Sequence, residues 1–162
     1  MSIFRIIVLA NNVVWGEAPE FVDTPIYVIA NGYCFPDNQW TDLSYFVLSM
    51  WAENLLRNKE RAEAEYDLPF MDGPFWIKIK QNGNIVHMEG FDGRADNKIK
   101  FTVSTTSSLV FHEMLNAFNN LKKILLRNKN TQIHSSKESI LDSVSYYQKR
   151  IGNALALMGE EL

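Results

Sequence analysis

The side chains of this chain that could do chemistry are three histidines, one cysteine, a run of hydroxyls and an aspartate-bearing turn. His87, His112 and His134 are far apart in sequence. His112 has a carboxylate only at the adjacent Glu113, and neighbouring helix positions point about 100° apart, so the two make no acid–base dyad. His87 and Glu89 lie two apart on one strand face. A metal ion would need further ligands there, and the sequence offers none at suitable spacing. The turn Asp92-Gly93-Arg94-Ala95-Asp96 has the outline of a calcium loop. It lacks the third oxygen ligand and the distal bidentate glutamate of such loops, so it reads as an ordinary β-turn. Cys34 has no histidine or helix N-terminus near it to lower its pKa and reads as an inert thiol.

Ser104-Thr105-Thr106-Ser107-Ser108 stands where a strand should give way to a helix. Such junctions can hold phosphate on backbone N–H groups. No glycine adjoins the run and no Walker lysine follows it, so helix capping accounts for the hydroxyls. The chain therefore carries no nucleophile–base pair, no metal-spaced cluster and no glycine-rich phosphate loop. No catalytic residue, metal or cofactor is expected.

Charge is the more informative signal. Residues 1–75 hold four Lys/Arg against eleven Asp/Glu, whereas residues 76–134 hold nine against four. An acidic half on a small domain without catalytic motifs suggests recognition of a basic partner, because complementary fields steer encounter and select partners. The four cations Lys122, Lys123, Arg127 and Lys129 gather near the end of one helix, where the helix dipole favours them. With a sequence pI of about 5.6, they make a poor footprint for nucleic acid.

These side chains must be positioned by one α+β domain spanning residues 1–162, since 162 residues fit a single core. The expected architecture is an antiparallel sheet of four to six strands with a central meander, covered by three amphipathic helices. Ile3 to Leu9 and Ile26 to Phe35 read as strands, the second bent at Gly32. Residues 15–25 read as a loop. Asp37 is placed to cap a helix over Asn38–Arg57. Phe46, Val47, Met50, Trp51 and Leu55 would face the core from it, and the charged stretch Arg57 to Asp67 would prolong it with a solvated surface. Phe75 to Lys80 alternates, Asn82-Gly83 supplies a tight turn, and Ile85 to Phe91 returns. Lys98 to Thr105 alternates again, with Ile99, Phe101 and Val103 on one face. Ser107 or Ser108 opens a long helix whose inner face includes Phe111, Phe118 and Leu121. Ser135 and Glu138 match a capping box for a last one.

The single cysteine excludes an intrachain disulfide and fits a reducing compartment. The apolar N-terminal run is too short for a secretory signal, and no stretch approaches the roughly 20 apolar residues of a membrane span. A cytoplasmic protein is expected. Trp51 belongs to the core; Trp76 shares a strand face with Lys78 and Lys80 and is a candidate surface contact.

Two segments carry a resemblance. Phe35-Pro36-Asp37-Asn38-Gln39-Trp40-Thr41-Asp42-Leu43, running on to Ser49-Met50-Trp51, is one; Phe70-Met71-Asp72-Gly73-Pro74-Phe75-Trp76-Ile77 is the other. Together they resemble small bacterial proteins found beside polymorphic toxins, including immunity proteins of contact-dependent growth inhibition systems. The resemblance implies a cytoplasmic protein that binds one toxin domain, often a basic nuclease, and blocks its active site or a surface it needs. It carries over no catalytic residues. The candidate contacts are Asp37, Asp42, Asp72 and Asp92, at helix starts or turns where carboxylates are commonly exposed, together with Trp76. The other class of function is a small-molecule enzyme or binding protein with a pocket between helix and sheet. Convergent polar groups and perturbed carboxylates in one cavity would mark it.

Overall fold

The structure, a computed structural model, describes residues 3–18, 20–94, 96–127 and 134–159, with side chains from 137 onward in the last span. Its architecture is α+β, with every strand pair antiparallel and the strands divided between two sheets.

In the first sheet, strand β3 (Val22–Ala30) is central. It pairs with β1 (Phe4–Val8), β2 (Val14–Trp15), β4 (Tyr33–Phe35) and β5 (Thr41–Leu43). The bend expected at Gly32 is a hairpin turn. Asn31 and Gly32 both have left-handed backbones (φ 50° and 85°), as a two-residue turn that matches strand twist requires. Residues 22–25 are strand rather than loop, because β2 and β5 claim the backbone of this stretch. The outer edge of β1 is blunted by a helix: the Ile6 amide donates to Glu113 Oε2 at 3.0 Å.

The second sheet has the order β6 (Glu63–Pro69), β7 (Phe75–Asn82), β8 (Ile85–Asp92), β9 (Lys98–Thr106). It contains the expected meander, with Gly83 (φ +59°) opening the β7–β8 turn. Strand β6 replaces the expected helical extension. Its residues alternate, with Glu63, Glu65 and Asp67 on one face, and its partner supplies the countercharge. Lys78 Nζ lies 3.0 Å from Glu65 and 4.0 Å from Asp67, and Lys80 Nζ lies 3.2 Å from Glu89. Part of the sequence's charge division thus cancels across a ladder. A bulge between Gly90 and Phe91 makes Gly90 oppose Phe101 but Phe91 oppose Ile99. Ile99 therefore leaves the face of Phe101 and Val103 and is 45% exposed, contrary to the simple alternation. Gly90 must lack a side chain because the Phe101 ring lies where its Cβ would be.

Helix α1 (Ser44–Asn58) bridges the sheets, touching β3 and β5 on one side and β6 on the other. It starts later than expected because residues 41–43 are held as strand. Asp37 instead closes a local turn, accepting from the Gln39 amide at 2.8 Å. The outer carbonyls of β6 are met by α1 side chains: Trp51 Nε1 donates to Pro69 O (2.6 Å) and Asn54 Nδ2 to Asp67 O (2.8 Å). Helix α2 (Ser107–Arg127) lies along β1 and packs on α3 (His134–Leu157). The Ser135 capping side chain falls outside the described residues' side chains. Trp51, Phe111, Phe118 and Leu121 are buried as expected, whereas Phe46 is half-buried. Its ring meets Tyr45 and the exposed Phe21 at the rim.

Phe35 joins the layers. Fully buried at the end of β4, its ring meets Phe70 (5.9 Å between centroids), Phe75 (5.9 Å) and Phe101 (5.3 Å) edge-on. Phe70 in turn meets Trp51 of α1 at 5.1 Å. Edge-to-face geometry adds to the area each ring buries. Phe35→Ala and Trp51→Ala should each lower unfolding stability by about 3–5 kcal/mol in urea titrations; an unchanged midpoint for either would contradict this packing.

Candidate functional site

Folding brings the two resemblance segments together at one end of the molecule. The loop 70–74 between β6 and β7 is drawn onto the 36–42 segment by Asp42. Its Oδ2 accepts from the Met71 amide (2.9 Å), the Asp72 amide (3.1 Å) and Trp40 Nε1 (3.4 Å), while Oδ1 accepts from the Leu43 amide (2.8 Å). The Trp40 ring packs edge-on against Phe75 at 4.8 Å. Gly73 (φ +91°) turns the loop where an added Cβ would strike Phe75 and Trp40. The turn after β8 closes the group: the Gly93 amide donates to Pro74 O at 2.8 Å, and the Arg94 guanidinium lies 4.4 Å above the Phe75 ring.

Two of the four candidate carboxylates are therefore not the exposed contacts the sequence suggested. Asp42 is 1% exposed, because its oxygens are consumed holding loop amides. Asp92 is 5% exposed and tied to Arg94 Nε (3.1 Å) and Lys100 Nζ (3.5 Å). Arg94's hydrogen bond to the Asp92 side chain holds that carboxyl below its ordinary value. Asp37 and Asp72 are exposed on the same loop end. The sequence reading missed Asp23, half-buried on β3 opposite Leu43 of β5. Burial, then the charges of Asp42 and Asp72, push its pKa up. Neither Asp23 nor Asp72 has an ion-pair partner among the described residues.

Trp76 is half-buried and stacks flat on Phe91 (5.3 Å, 3° between planes). The β8–β9 bulge adds Ile99 opposite Phe91, so the three form an apolar row on the outer face of the second sheet. This row begins beside Pro74 and Gly93 and adjoins the acidic loops. Exposed Met71 (48%) on the loop and Val14 (62%), opposite Asp23 on β2, add apolar surface next to the carboxylates.

Other reactive types are placed elsewhere. His87 Nδ1 and Ser104 Oγ, opposite each other on β8 and β9, are hydrogen-bonded at 2.7 Å. Their separation in sequence hid this pairing. Both are exposed on an open sheet face, where a nucleophile would lack the desolvated, preorganised surroundings that acyl-transfer chemistry needs. Among the described residues, no group of three or more His, Cys, Asp or Glu side chains could hold a metal ion, and no helix is long and apolar enough to cross a membrane. Lys122, part of the basic helix end, donates to Ser145 Oγ (3.0 Å) and Gln148 Oε1 (3.5 Å) of α3.

Known proteins add nothing to this geometry. No protein-family model, curated protein or solved structure matches the chain.

Asp42→Ala would remove one buried acceptor from several part-buried donors at once. It should cost about 2–3 kcal/mol and expose the 70–74 loop to proteolysis; a neutral effect on the urea midpoint would remove Asp42 as the clamp. Asp92 has a depressed folded-state pKa, so its contribution is present above its ordinary value of 3.8 and lost as pH falls through the lower folded value. Asp92→Asn should therefore be less stable than wild type at neutral pH, with the gap closing below about pH 3.8. A gap that stays constant to lower pH would contradict the ion pair.

Proposed function

We propose that this chain is an immunity protein: it binds and neutralises one basic toxin domain, of the nuclease kind, in the cytoplasm of the cell it protects. The observation that carries this reading is spatial. Two segments far apart in sequence, the ones that resemble immunity proteins, form one continuous surface. That surface combines the carboxylates of Asp23, Asp37 and Asp72 with exposed apolar side chains.

The physics suits a steered, anchored complex. Asp23, Asp37 and Asp72 supply the field that speeds encounter with a basic domain. Trp76, Phe91, Ile99 and Met71 supply apolar area for a desolvated contact, the kind of patch in which binding energy concentrates. Asp42 and Asp92 act behind the surface, fixing its loops before the partner arrives, which lowers the ordering cost of association. Burial is the larger cause of the raised Asp23 pKa; the repulsion from Asp42 and Asp72 that adds to it is relieved when a lysine or arginine of the partner approaches.

Co-expression with the toxin domain encoded by the neighbouring reading frame should restore growth and yield a one-to-one complex. Reversing Asp37 and Asp72 to Lys, both exposed, should slow association by about tenfold or more at low salt, while Asp37→Asn, which keeps an acceptor for the Gln39 amide, separates the charge from the turn bond. Absence of rescue would overturn the immunity reading. Rescue with an unchanged association rate would move the docking surface away from the loop end. The Asp23 carboxyl should titrate above 3.8 in the free protein and drop on complex formation, which carboxyl-detected NMR would follow.

A further inference from the structure

At the far end of β7 and β8 from the acidic loops, the start of α2 meets two distant parts of the chain. Ser107 and Ser108, with Thr106 before them, line a pocket of about 310 Å³. Gly83 and Asn84 of the β7–β8 turn, Lys59 at the end of α1 and Met158 just beyond α3 complete its wall. In sequence the hydroxyl run lacks a neighbouring glycine and lysine; the fold delivers both. Gly83 has open space where a Cβ would stand, so its backbone is approachable. The Lys59 side chain is only 22% exposed, and its Nζ lies 2.9 Å from Glu60 Oε1, a carboxylate that is itself 84% exposed.

Donors converge on this pocket. The first amides of a helix have no partners within it and carry the positive end of the helix dipole. Here the Ser107 amide donates to Asn84 O (2.8 Å) and the Leu109 amide to Thr106 Oγ1 (3.3 Å), which leaves the Ser108 amide without a helical acceptor. A second, independent feature is the Ser107 hydroxyl. Ser107 is 9% exposed, and its Oγ is a buried side-chain oxygen without a hydrogen-bond partner. Buried polar groups are rarely left so, and each such atom calls for a cause. A bound acceptor is a direct one.

We propose that this pocket binds a phosphate dianion, free or as the head of a small ester. Ser107 Oγ and the Ser108 amide would donate to its oxygens, Lys59 would turn from Glu60 to balance its charge, and Met158 would border any organic remainder. The volume lies at the lower end of the roughly 300–1,000 Å³ typical of small-molecule sites. This site is independent of the toxin-binding reading, and its failure would leave that reading untouched.

The test is an amide-resolved NMR titration of the full chain with inorganic phosphate and with glycerol 3-phosphate, using chloride at matched ionic strength as control. Both phosphates should give saturable shifts confined to Gly83, Asn84, Ser107 and Ser108. Tighter saturation by the ester identifies an ester ligand, and the reverse order identifies free phosphate. Lys59→Met should weaken binding about tenfold or more and Glu60→Gln should tighten it. Ser107→Ala should weaken binding without lowering the melting temperature, because the hydroxyl it removes has no protein partner. Shifts matched by chloride, shifts centred instead on Lys98 and Lys100, or unchanged affinity in Lys59→Met and Ser107→Ala would overturn the proposal.

Discussion

Two separate hydrogen-bonded ladders have to be held in one orientation by side chains, and Phe35 is where that happens. It ends the short strand β4 of one sheet and inserts its ring among Phe75 and Phe101 of the other and Phe70 of the loop between β6 and β7, with Trp51 of α1 one contact further on. Rings packed edge to face at this density have few alternative arrangements. Their placement therefore fixes the segments that leave the cluster: residues 36–42 after Phe35 and residues 71–74 between Phe70 and Phe75. The candidate interface consists largely of those segments. Its shape follows from the core rather than from loop chemistry alone.

At the rim of this cluster, Asp42 converts proximity into a fixed loop. Its position explains why a negatively charged end of the molecule cannot be read by counting acids. Asp42 and Asp92 are committed to internal bonds, while Glu65 and Asp67 face Lys78 across the β6–β7 ladder. Exposed pairs of that last kind contribute little to stability, but they do quench the local field. Around this loop the acids not committed in that way are Asp23, Asp37 and Asp72, bordered by Met71 and the Trp76–Phe91–Ile99 row. Exposed carboxylates bordered by apolar side chains are the composition that the proposed basic protein partner would require.

Local patterns were legible in the sequence and tertiary ones were not. The β7–β8–β9 meander and the apolar stripe of α2 follow from periodicity, and each stands close to its expected place. Strand β6 was hidden because Glu, Arg and Ala favour helix; only the lysines of β7, supplied by folding, make an alternating acidic strand favourable. Asn31-Gly32 carried a hairpin dipeptide, but the strand it starts is so short that the segment reads as one bent strand. Asp37 and Asp42 look alike from sequence, one capping and the other early in a helix expected over Asn38–Arg57. Only the arrival of loop 70–74 distinguishes a buried clamp from an exposed turn residue. Lys59 and Gly83 could not be associated with Ser107 at all, since nothing local links the three.

A buried carboxylate locks loop 70–74, so the proposed recognition surface is pre-formed before any partner arrives. Amide hydrogen exchange at Met71 and Asp72 in the free protein tests it most directly. Both amides donate to Asp42 Oδ2, so their protection should be comparable to that of the β7 and β8 ladder amides, despite the exposure of both residues. Exchange at the rate of an unprotected loop would contradict it.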